Sequence, residues 1–134
     1  MKKLLIFSPL MLFIILLLSS CPRPKGDWDD IIKLSTKSAE FSANGDSVLI
    51  TTGGSWWWVS DVSVNDEWFY NFQGINLEAD SYIIKENCFN VERRDKHTLF
   101  IKVYENPLSV KRIITVGLEA GDYFDRVTIT QKPK

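Results

Sequence analysis

Histidine is almost missing from this chain. His97 is the only one among 134 residues, and the cysteines number two, Cys21 and Cys88. A zinc or similar site needs about four nitrogen, sulfur or carboxylate ligands at short spacings. With no second histidine and no cysteine pair, no metal centre is expected. His97, in Arg94-Asp95-Lys96-His97, reads as a solvated turn residue. An excess of one charge is also missing: 16 basic and 17 acidic residues give a formal net charge of −1. That leaves no electrostatic footprint for nucleic acid. There is no Gly-x-Ser-x-Gly and no glycine-rich phosphate loop. Two carboxylates for glycosidase chemistry could be drawn from so many acidic residues that none is singled out. The chain is therefore expected to be non-catalytic and to carry no cofactor. No segment shows a 3.6-residue apolar period with caps, so helices are not expected either.

What is present begins at the N-terminus. Lys2 and Lys3 precede an almost wholly apolar run from Leu4 to Leu18, broken by Ser8 and Pro9. The run is short for a membrane-spanning helix, which needs about 20 apolar residues, and it suits a signal peptide. Leu18-Ser19-Ser20-Cys21 resembles the bacterial lipobox. The resemblance implies cleavage after residue 20 and lipidation of Cys21; the alternative is an uncleaved anchor with an incidental cysteine. Two or more acyl chains give stable anchoring. The expected partner is thus a membrane, and the expected place the lipid-anchored cell envelope, at the outer membrane, on its periplasmic or its surface face. With Cys21 acylated, Cys88 has no disulfide partner and reads as a buried, inert thiol. Residues 21–35 are expected to form a flexible tether. Pro22, Pro24 and Gly26 discourage regular structure, and Asp27, Asp29 and Asp30 are solvated.

From residue 36 to 134 the chain reads as one all-β domain. Glu40 to Ala43 ends at the turn signal Asn44-Gly45-Asp46, and Ser47 to Thr52 follows with Val48 and Ile50 on one face. Ser81 to Lys85 is strand-like. Phe89 and Val91, then Leu99, Ile101 and Val103, then Arg112, Ile114, Val116 and Leu118, and finally Val127, Ile129 and Gln131 alternate with other residues. Seven or eight short strands with regular turn signals predict an immunoglobulin-like β-sandwich. Residues 65–80 lack a clean period and read as a long, partly ordered excursion. The pairs Arg93-Arg94 and Lys111-Arg112 read as solvated strand ends.

The stretch around which the domain is organised is Gly53-Gly54-Ser55-Trp56-Trp57-Trp58-Val59. In a strand, Trp57 and Val59 share one face and Trp56 and Trp58 the other. A two-layer domain has its core on one face only, so Trp57 is placed inside and at least one neighbour outside. Trp56, Trp58, Trp68 and Tyr70 are the candidate ligand-binding residues, since flat rings stack on the C–H face of a sugar. Alternatively Trp58 and Trp68 pack together beneath the excursion. Phe100 and Tyr104 fall on the outer face of their strand. Asp46-Ser47-Val48 resembles the O-glycosylation sequon of Bacteroidetes proteins, which would make Ser47 a glycan acceptor.

The Phe41 strand, Gly45, Trp57-x-Val59, Arg112-x-Ile114-x-Val116, Gly121-Asp122 and Val127-x-Ile129-x-Gln131 occur in an order that resembles the BACON domain. That is the Bacteroidetes-associated carbohydrate-binding, often N-terminal domain found in bacterial lipoproteins and enzymes. The resemblance spans roughly residues 36–132 and implies an immunoglobulin-like sandwich with a possible glycan ligand. The competing expectation is a structural or protein-interaction subunit of the envelope with no carbohydrate ligand.

Overall fold

The computed structural model describes residues 29–134. The signal segment, Cys21 and the start of the tether lie outside the described residues. The domain is two stacked sheets without helices. One sheet has five strands, in the order β1 (Ser38–Phe41), β9 (Tyr123–Gln131), β8 (Arg112–Ala120), β3 (Trp58–Val64) and β4 (Glu67–Phe69). The other has four: β2 (Asp46–Thr51), β7 (Thr98–Val103), β6 (Phe89–Asp95) and β5 (Tyr82–Lys85). All pairings are antiparallel except β1 with β9, which run parallel.

The alternation in the sequence becomes the core. Ile50, Val59, Val62, Phe89, Val91, Leu99, Ile101, Ile114, Val116, Leu118, Val127 and Ile129 are all fully buried between the sheets. The architecture is the expected sandwich, with nine strands in place of seven or eight. The ninth is β4, inside the excursion. Its three residues give too short a run to show a period, but Phe69 points inward and meets Phe89 edge-on, with ring centres 5.6 Å apart. Phe72, Ile75 and Leu77 also pack against the core. The excursion is thus held down by apolar side chains spaced for turns.

Two expectations are corrected. The tether does not extend to residue 35, because Ile32 is fully buried and Leu34 bridges to Thr52. The amides of Gly53 and Gly54 donate to the carbonyls of Lys33 and Ile32, tying this segment to the stretch before the tryptophans. Ile31, Ile32 and Leu34 make too short a cluster to show a period, yet Ile32 and Leu34 suffice to dock the chain. Arg93 and Arg112 are also not solvated. Both lie on the inward phase of their strands, and both are buried, Arg93 with 4% of its surface exposed. Arg112 closes one end of the core through Gln131 Oε1 at 3.1 Å, while the Gln131 amide donates to the Tyr104 carbonyl at 2.9 Å.

Candidate functional site: an aromatic cleft

The three tryptophans divide as their phase predicts. Trp57 is 1% exposed and Trp56 67%, with Trp58 between them. The Trp57 indole N–H donates to Lys96 O at 2.9 Å and to Thr52 Oγ1 at 3.0 Å, so its one polar group is satisfied inside. Trp56 and Trp58 meet edge to face, with ring centres 5.7 Å apart and planes at 73°. Together they line an open cleft of about 690 Å³, whose other lining residues are Trp57, Leu77, Glu78 and Arg93.

Each wall has a local cause. Gly121, in the β8–β9 turn, has φ +61°, and a Cβ there would stand 3.3 Å from the Trp56 ring. The missing side chain lets the indole lean over the turn. Trp58 is fixed by register: it lies opposite Glu119, and Glu119 lies opposite Phe124. These three residues form one row on the outer face of the five-stranded sheet. Phe124 is exposed and stands two strand spacings from Trp58, roughly 10 Å. The excursion supplies Leu77, packed on the core, and Glu78, whose amide donates to the Asn76 side chain at 3.1 Å in a tight local turn.

Beneath the cleft lies Arg93. Its Nη1 donates to the Ala79 carbonyl at 2.9 Å and its Nη2 to the Ser55 carbonyl at 2.8 Å. No carboxylate is within ion-pair distance of it among the described residues. Its Nε is buried without a partner. Leu77, Glu78 and Phe124 escape the sequence reading, which treats Arg93 as a solvated strand end. Arg93 carried one legible signal, its inward phase with Phe89 and Val91.

The other two aromatic candidates are elsewhere. Trp68 pairs with Ser63 across β3 and β4, five residues along β3 from Trp58, or roughly 17 Å of strand. Trp68 and Tyr70 are exposed and line a separate shallow depression of about 350 Å³ with Phe69, Asn71, Phe72 and Glu86. Trp58 therefore packs on Trp56 and not on Trp68. Phe100 and Tyr104 are half-buried on the other sheet, under the Arg94 guanidinium at 3.7 Å and the Lys102 ammonium at 5.4 Å respectively.

The remaining titratable groups do not converge. His97 is an exposed turn residue whose ring nitrogen lies 3.1 Å from Thr52 O. Cys88 is half-buried, and burial pushes its thiol up from the ordinary value. Among the described residues there is no group of three metal-ligating side chains and no helix long and apolar enough to cross a membrane. Ser47 is exposed at the start of β2.

No protein-family model matches the chain, and no curated protein matches it in sequence. Among solved structures, the fold is similar to that of a protein from Bacteroides thetaiotaomicron determined by NMR. The TM-score is 0.62 and the identity 21%, over 83% of this chain and 97% of that one. A weaker similarity is to part of the Bacteroides ovatus GH5 xyloglucanase in complex with a XXXG heptasaccharide. There the TM-score is 0.46 and the identity 19%, over 76% of this chain but only 19% of that one, and it carries no functional argument. What this chain shares with the NMR structure is its all-β fold.

Proposed function

We propose that this is a non-catalytic recognition domain, carried on a lipid-anchored exported protein, and that it binds glycans in the cleft of Trp56 and Trp58. The observation that carries the reading is the pair of partly exposed indoles lining one cleft of about 690 Å³. Exposed aromatic surface is a liability unless it is used, and a ring face beside carboxylates suits a sugar. The C–H face stacks on the indole while hydroxyls donate to Glu78 or Glu119. Phe124, in the same row as Trp58, extends the platform in the direction of a linear chain. The lipobox at Cys21 and the BACON resemblance agree with this reading.

A glycan array on the domain from residue 29 onward tests it. The best binder should lose about tenfold or more in affinity with Trp56→Ala or Trp58→Ala, and longer chains should lose more than short ones with Phe124→Ala. Trp68→Ala should leave glycan binding unchanged. Glycan binding that survives both cleft substitutions would remove the site from this cleft.

A second reading has its own observation. Trp68 and Tyr70 are exposed on and next to β4, an edge strand of the five-stranded sheet. An apolar patch at an unpaired edge suits a protein partner in the envelope. An array with no binder, together with a crosslinked partner lost on Trp68→Ala, favours that reading.

A further inference from the structure

We infer that Arg93 is the positioning residue of the aromatic cleft, a single buried cation that fastens two separate loops into the shape a ligand meets. The consequence for binding rests on the cleft being the recognition site; the geometry does not. The Ser55 carbonyl precedes Trp56, and the Ala79 carbonyl follows Glu78, so the two bonds of Arg93 hold both contributing segments at their roots. These segments are about 24 residues apart in the chain and belong to no common strand pair. The planar fork of arginine can hold two acceptors at a fixed separation, which an ammonium cannot do.

The surroundings are those of a side chain held for geometry. Among the described residues Arg93 pairs with no carboxylate, and its charge is met by two carbonyl dipoles and the face of Trp57. Its Nε finds no acceptor. The same guanidinium touches all three structural parts of the site: the loop before Trp56, the excursion at Ala79 and the buried indole of Trp57. Movement of any one is thereby linked to the others.

The test needs no ligand, so a failure of the glycan reading leaves it intact. Arg93→Lys keeps the charge and removes the fork. Hydrogen exchange read by mass spectrometry should become roughly tenfold faster in residues 53–58 and 76–80 together. In protein labelled with fluorotryptophan, the Trp56 and Trp58 fluorine resonances should shift or broaden. An Ile129→Ala control, fully buried on β9 of the other sheet and away from the cleft, brought to equal global stability by adjusting temperature, should leave both segments and both resonances as in the parent. If the control alters them as much as Arg93→Lys does, Arg93 is only a stability element. If Arg93→Lys does not fold, the parent protein decides. Its Arg93 Nη hydrogens should give separate, slowly exchanging proton resonances, and averaged ones overturn the clamp.

Discussion

The guanidinium carbon of Arg93 stands 4.5 Å from the centre of the Trp57 ring. Trp57 fills the space between the sheets, and Arg93 joins that space to the cleft above it. A side chain of the core and the machinery of the site are thus in direct contact. The tryptophans themselves differ in burial, Trp57 being enclosed and Trp56 and Trp58 facing the cleft, so their substitutions should differ in cost.

Trp57→Ala should destabilise the domain by about 3–5 kcal/mol, the cost of deleting a large buried aromatic. Trp56→Ala and Trp58→Ala should each cost about 1 kcal/mol or less, since their rings keep partial contact with water. Urea denaturation of the three variants measures this. Equal losses would contradict the division of faces.

Gly45→Ala should destabilise by about 2 kcal/mol or more. Gly45 has φ +86°, and a Cβ there would run into the Val103 carbonyl. The Gly45 amide also donates to Ser42 O at 3.1 Å, so the turn between β1 and β2 is tightly set. Thermal unfolding monitored by circular dichroism reads the loss.

Tyr123 should titrate late. Desolvation, and then the nearby carboxylates of Asp30 and of Asp125, which accepts from the phenol at 3.3 Å, push its phenol up from 10.0 to about 12. The folded state then holds this proton more tightly than the unfolded chain. The stabilisation is complete below pH 10 and is lost as pH rises from there through about 12. Phenolate absorbance should show a component near pH 12 that is lost in Tyr123→Phe, while Tyr82, also raised by burial, remains in both proteins; the variant should show a shallower fall in stability across the same window.

Cys21→Ala should abolish acylation, and the variant chain should leave the membrane fraction; a variant that stays anchored and keeps residues 1–20 would remove the lipoprotein reading. Intact mass of the parent should show an acylated N-terminal cysteine. An unmodified Cys21 in a protein that still sediments with membranes would point to an uncleaved anchor.

The sequence alone determined the sheets and the inner residues. Alternation of Leu99, Ile101 and Val103, or of Ile114, Val116 and Leu118, survives any arrangement of the strands, because period two is a property of the extended chain itself. It also placed Trp57 in phase with Val59, and the core has room for one of three neighbouring indoles. Tertiary structure decided the rest. The register of β3 with β4 set Trp68 opposite Ser63 and so kept it far from Trp58, a relationship that depends on hydrogen bonds between strands. The excursion brought Leu77 and Glu78 to Trp56 by burying Phe69, Phe72, Ile75 and Leu77, whose spacing follows turns and shows no period. Arg93 lies on an inward phase that normally carries an apolar side chain, and its burial became possible only when Ser55 and Ala79 presented carbonyls to it. Local pattern reports which face a residue takes; which residues share that face across the fold is decided by strand pairing and loop docking.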